Sequence, residues 1–205
     1  IYYLWFAVYN YRPQIGNYTR ELMLTYILGT SLLRIFVGGS RNVDVSAEIS
    51  LGDLSNYLIK PLNYFYYWLT RDLADKALNL VLLIFELTLI FLLIKPPFFL
   101  QTNMVYLSGF ILASILGMFL FFYLSMIISL SAFWFPEMEG WPQRFLFAVI
   151  IEFLCGLFLP LDIFPPLVFK FFSLLPSTYM IFFPLKFYLG NENSLFYLKG
   201  LVLML

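Results

Sequence analysis

Apolar residues run along this chain in blocks separated by short clusters of proline, glycine and charge, and several blocks have the length that crosses a bilayer. A hydrocarbon core about 30 Å thick takes about 20 helical residues at a rise of ~1.5 Å each. IYYLWFAVYN at 1–10 is too short and reads as the tail of a first span, so the chain, which starts and stops inside apolar stretches, is expected to be a fragment. After a turn-rich loop with Arg12, Pro13, Gly16 and Asn17, a second span is predicted at about 22–39, opened by Thr19 as helix cap with Glu21 in the first turn. Residues 40–76 hold nine of the 24 charges and no apolar run of spanning length, which places them outside the bilayer.

Two further spans follow, at 77–94 and from Met104 to about Phe133, divided by Lys95-Pro96-Pro97. A polar turn with Pro136, Glu137, Glu139, Gly140 and Pro142 precedes another apolar run at 145–159. From Pro160 the pattern becomes short apolar pieces cut by Pro165, Pro166, Pro176 and Pro184. Proline removes a backbone donor and clashes with the preceding turn, so two short re-entrant helices are expected in 160–190, with Asp162 capping one of them. Residues 195–205 begin a last span. The fold class is therefore all-α, a polytopic transmembrane helical bundle with six spans, the first and last incomplete.

Composition agrees: 62% hydrophobic, 21% aromatic, 12% charged and a mean hydropathy of +0.87 describe a membrane protein. Twelve basic and twelve acidic residues cancel, leaving no electrostatic footprint for nucleic acid. With no His, the chain has no Ser-His-Asp triad or HExxH site, no metal set is visible, and Cys155 in its apolar run reads as packing. Lys and Arg in 40–76 (Arg41, Lys60, Arg71, Lys76) place that segment in the cytoplasm.

Within it, Ser50 or Asp53 can cap a short helix with Leu54, Tyr57 and Leu58 as its apolar stripe, ended by Lys60-Pro61. Tyr64, Phe65, Tyr66, Tyr67 and Trp68 then form an aromatic belt on an interfacial helix at 62–76, and Arg71, Asp72, Asp75 and Lys76 a water-facing turn.

Three segments, EISLGDLSNYLIKPLNYFYYWLTRDLADK, GLFLPLDIFPP at 156–166 and LLPSTYMIFFPLKFYLG at 174–190, closely resemble the permease subunits of bacterial type-2 ABC exporters, over nearly the whole chain. The resemblance implies that 48–61 is the coupling helix, docking a separate ATPase through Glu48, Gly52, Asp53, Leu54, Tyr57, Lys60 and Pro61. It also implies that Pro160, Asp162, Pro165, Pro176 and Pro184 belong to extracellular re-entrant gate helices. The implied partners are an ABC ATPase subunit, a second permease subunit and the lipid bilayer of the bacterial cytoplasmic membrane. No GxxxxGK[ST] loop occurs in the sequence, so no cofactor is expected here, and ATP and Mg²⁺ would be bound by the partner. The chain is not expected to be an enzyme.

Ionisable residues inside spans cost about 2.5–3.5 kcal/mol on insertion scales and face a bundle interior or cavity. Arg34, Glu152 and Glu86 lie about 7, 10 and 13 Å from the cytoplasmic ends of their spans at ~1.5 Å per residue. Arg34 is thus expected to pair with Glu152 or Glu86, with Tyr26 and Thr30 on its stripe; an ion pair that only locks the bundle is the plainer alternative to a transport role. Gly109, Ala113 and Gly117 form a small-residue ridge for close helix packing, within the subunit or across a dimer. The Phe-rich faces (Phe119, Phe121, Phe122; Phe169, Phe171, Phe172) read as lipid-facing packing, with the lining of an amphiphile path as the alternative. Two other functions compete: a non-transporting scaffold, and a lipid-modifying enzyme using Asp72 and Asp75.

Overall fold

The computed structural model describes residues 1–38, 43–93, 95–138, 145–190 and 194–204. It is almost wholly helical. Helix α1 (Tyr2–Tyr11) leads into a two-stranded hairpin, β1 (Gln14–Ile15) and β2 (Tyr18–Thr19), whose turn places Gly16 at φ +57°. Then come α2 (Arg20–Gly38), α3 (Val43–Ser50), α4 (Leu54–Leu58), α5 (Tyr64–Leu93) and α6 (Met104–Ser129). A 3₁₀ turn carries α6 on to Phe133.

Three helices among the described residues are long and apolar enough to cross a membrane: Arg20–Gly38, Tyr64–Leu93 and Met104–Phe133. The six-span count is not reached within these residues. The expected division into an interfacial helix at 62–76 and a span at 77–94 gives way to one 30-residue helix. No Pro or Gly occurs between Tyr64 and Leu93 to break it, and at ~1.5 Å per residue it reaches about 45 Å, the bilayer with its headgroups. The predicted water-facing turn on this helix is also corrected: Asp72 and Lys76 are buried, one helical turn apart and 3.3 Å from each other, with Lys76 Nζ donating to the Val37 carbonyl at 3.2 Å.

The apolar run expected to span at 145–159 instead forms a π-helical segment, Leu146–Ile151, and a single α-turn, α7 (Glu152–Leu154). Helix ends there because Gly156 takes φ +77°, and the side chain of Tyr26 bonds to its carbonyl at 2.6 Å. Of the polar turn before it, Glu139, Gly140 and Pro142 lie outside the described residues, as does Arg41.

The proline-rich region folds as α8 (Pro166–Phe172), a 3₁₀ turn (Pro176–Tyr179) and α9 (Phe182–Leu189), bent by 86° between α8 and the rest. Pro166, Pro176 and Pro184 all fall within the first three residues of their elements, where the missing N–H would have no helical partner anyway. Helix α10 (Ser194–Met204) closes the chain. Helix α9 is the centre of the packing. Gly109 lies against the Phe187 ring, and a Cβ on Gly117 would stand 2.7 Å from the Met180 carbonyl oxygen. Ala113 between them is buried with Phe183 and Phe187. The ridge of α6 thus packs inside the subunit.

Candidate functional site

At the end where α2 finishes and α5 begins, α3 and α4 build a protruding tip. Helix α3 ends by hydrogen bonds from Leu51 N to Ala47 O (2.9 Å) and Gly52 N to Ile49 O (3.2 Å), and Gly52 takes φ +82°. This left-handed position is the ordinary glycine stop of a helix. The Gly52 carbonyl then accepts from Ser55 Oγ (2.8 Å) and Ser55 N (3.2 Å), which starts α4. Asp53 precedes α4 without a side-chain bond to its backbone, and Ser50 Oγ bonds back to Ser46 O at 2.8 Å, so neither expected cap forms; only a 3.4 Å contact joins Asn56 Nδ2 to Asp53 Oδ1. The predicted segment 48–61 is therefore the end of α3, a glycine turn, and a five-residue helix.

The base of the tip is fixed and its end is bare. Tyr64 donates to Glu48 Oε2 at 2.7 Å, and Tyr57 packs its ring on Tyr64 and Tyr67 at 5.6 and 5.3 Å. The Tyr57 hydroxyl has its pKa pushed up to about 12, first by its hydrogen bond with Tyr67, then by burial and the Glu48 carboxylate. Trp68 is buried with Val45, Phe122 and Met126, and the Arg71 guanidinium covers its ring at 4.8 Å. By contrast Leu51, Leu58, Ile59 and Leu62 are exposed, Leu58 at 70% and Ile59 at 84%. Leu54 is half-buried, Lys60 and Pro61 are exposed, and the Lys60 ammonium lies 5.2 Å from the centre of the Tyr57 ring. Of the residues assigned to docking, Glu48 thus turns inward as an anchor.

At membrane depth, Arg34 meets Glu152 in a forked pair: Nε to Oε1 at 3.0 Å, Nη2 to Oε1 at 2.7 Å and Nη2 to Oε2 at 3.0 Å. The pair is open on one side, with side chains 55% and 25% exposed. Glu86 stands apart on the exposed face of α5. Tyr26 and Thr30, two turns and one turn before Arg34 respectively, are buried; Thr30 donates to the Ile27 carbonyl at 2.9 Å.

On the opposite side of the molecule, Asp162 does not cap a helix. It sits in a 3₁₀ turn (Leu161–Ile163) and accepts from Lys186 Nζ at 2.8 Å and from Tyr18 Oη at 2.8 and 3.0 Å. Lys186 is buried, and Tyr197 Oη donates to its carbonyl at 2.9 Å. One carboxylate therefore ties the β-hairpin, the segment after α7, and α9 together. Pro160 and Pro184 are buried beside this cluster, whereas Pro165 and Pro176 are exposed. Sequence reading misses the cluster because Tyr18, Asp162 and Lys186 are far apart in the chain; the signal available is a lone Lys in an apolar helix, which needs an acid. No group of His, Cys, Asp and Glu suited to a metal ion occurs among the described residues.

A single apolar frame, three helices long enough to cross a membrane and one sharply bent helix pair thus carry an exposed tip at one end and a polar knot at the other. The family model described as ABC-2 family transporter protein matches residues 1–205. No curated protein and no solved structure matches the chain. The chain belongs to the ABC-2 transporter family, as a multi-pass membrane permease subunit of an ABC transporter.

Proposed function

We propose that this permease forms one half of an ATP-driven exporter of the bacterial cytoplasmic membrane, pairing with a second permease subunit around the pathway and taking its drive from a separate ATPase that binds ATP and Mg²⁺. The observation that carries the reading is the tip: four large apolar side chains, Leu51, Leu58, Ile59 and Leu62, are exposed on and beside a short helix whose base is held by Glu48, Tyr57 and Tyr64. Exposed apolar patches on a rigid support mark protein contacts. A push on α4 has a route into the spans, because Tyr57 and Glu48 hold the tip to α5 and Trp68 holds α5 to α6.

The open side of the Arg34–Glu152 pair supports the second subunit. An ion pair at membrane depth that faced lipid would be costly, so its exposed edge is assigned to the pathway or to the neighbouring permease. Glu86 is assigned by the same reasoning to a face covered in the assembly.

The test is co-purification of the full-length chain from native membranes, with L58D/I59D as the variant. A P-loop ATPase is expected with the native chain and is lost with the variant, while the permease remains inserted and dimeric. Equal ATPase recovery from both would overturn the docking assignment.

A further inference from the structure

A second site opens on the side of the membrane away from the tip, between α10 and the turn that joins α8 to α9. It is a cavity of about 340 Å³, lined among others by Lys199, Phe183, Phe196, Tyr179, Thr178 and Ser173. Its depth follows from packing. Gly200 lies directly against the Phe183 ring, and Phe183 shares a buried cluster with Ala113, nine residues inside α6. At ~1.5 Å per residue this sets the neighbourhood of Lys199 about 13 Å below the start of that span. Met180, against Gly117, is deeper still.

The chemistry of the walls is one-sided. Ser173 Oγ donates to the Lys170 carbonyl at 2.8 Å, Thr178 Oγ1 to the Phe172 carbonyl at 2.6 Å, and Tyr179 Oη to the Ser173 carbonyl at 2.8 Å. All three hydroxyl protons are committed to backbone. The Lys199 ammonium is the remaining donor, and it belongs to none of the ion pairs among the described residues. A charge within a span calls for a counter-charge or a wet cavity, and non-helical backbone at this depth survives only where it lines protein or a cavity. The volume lies in the range of small-molecule pockets, about 300–1,000 Å³, and the rest of its wall is aromatic and aliphatic.

We propose that this cavity binds an acidic amphiphile from the membrane, with its phosphate or carboxylate on Lys199 and its apolar chain along Phe183, Phe196 and Leu203. The lining residues all belong to this one chain, and the test reads lipid retention rather than ATPase recovery, so its failure and that of the exporter reading are distinguishable.

The test is native mass spectrometry of the intact complex, purified through this chain into nanodiscs of phosphatidylglycerol or phosphatidylcholine with the same oleoyl chains, and separately with added oleate. The native protein is expected to keep phosphatidylglycerol, oleate or both through delipidation at least tenfold better than phosphatidylcholine; which acid is kept identifies the source of the head group. K199Q is expected to lose that preference and K199R to keep it. L203W, which fills the tail end while leaving the charge, is expected to lose the lipid with an unchanged size-exclusion profile. Equal retention of phosphatidylcholine, undiminished binding by K199Q or L203W, or loss in K199R as well as K199Q, would overturn the site.

Discussion

Replacing Gly117 by Ala adds one methyl group at the point where α6 meets the re-entrant segment. That Cβ would stand 2.7 Å from the Met180 carbonyl oxygen, 3.2 Å from its Cα and 3.3 Å from its carbonyl carbon. All three are backbone atoms, so no side-chain rotation relieves the clash, and Met180 is itself held by the packing of Cys155 and Phe182 around it. Overpacking of this kind costs typically 1–3 kcal/mol. For chains of 150–250 residues each kcal/mol moves the unfolding midpoint by about 2–4 °C, so G117A is expected to lower it by roughly 2–12 °C. The assay is thermal unfolding of the purified complex in detergent, followed by tryptophan fluorescence and by size-exclusion recovery after heating. I111A, on the exposed face of the same helix, is the control and should move the midpoint little. A G117A midpoint within about 1 °C of the native value would refute the close approach of α6 to Met180 on which the packing account rests.

Three other outcomes follow from the same structure. R34A and E152A should each lower stability by roughly 1–3 kcal/mol, below the full insertion penalty because Arg34 is more than half exposed, and the charge swap R34E/E152R should recover most of the loss in the same unfolding assay. K186M leaves the partly buried Asp162 without its cation and should cost up to about 3–5 kcal/mol, the range for breaking a buried pair, whereas K186M/D162N should cost clearly less; a double variant as unstable as the single would remove Asp162 as the partner. G52V forces a β-branched residue to φ +82°, a cost of order 1–3 kcal/mol confined to the tip; it is expected to leave the spans inserted and to lower transport-coupled ATP turnover, and unchanged turnover would count against a role for the turn.

How much of this could be read from the sequence differs by element. The spans at 20–38 and 104–133 announce themselves because no Pro breaks them, apolar residues dominate them and their ends carry turn residues. Helix α5 is harder to delimit, since an aromatic belt and a charged turn mark the membrane surface without breaking a helix, and no Pro lies between Tyr64 and Leu93 to do so. Burial of Asp72 and Lys76 has no sequence signature, because acid and base four residues apart read the same on a wet helix as on a buried one. Helix α3 hides in VDVSAEIS, whose apolar residues are too few to show a period. The run at 145–159 misleads in the other direction: it is apolar enough to span, yet the left-handed Gly156 ends it early, and that conformation is dictated by the contacts of Tyr26 and Phe182. Among site residues, depth narrows the partner of Arg34 to Glu152 or Glu86 and the fold selects Glu152, while Lys186 with Asp162 required the fold.

Residues 58 and 59 allow the most direct test of the central claim, that the tip docks an ATPase. Cys155 is the single cysteine of the chain and is buried against Met180, so it offers little background to a thiol reagent. I59C and, as control, L73C on the exposed face of α5 would each carry a photoactivatable maleimide in the intact complex in native membranes. The account predicts a light-dependent cross-link from position 59 to a P-loop ATPase polypeptide and none from position 73. Cross-linking to lipid alone at position 59, or equal cross-linking to the ATPase at both positions, would contradict it.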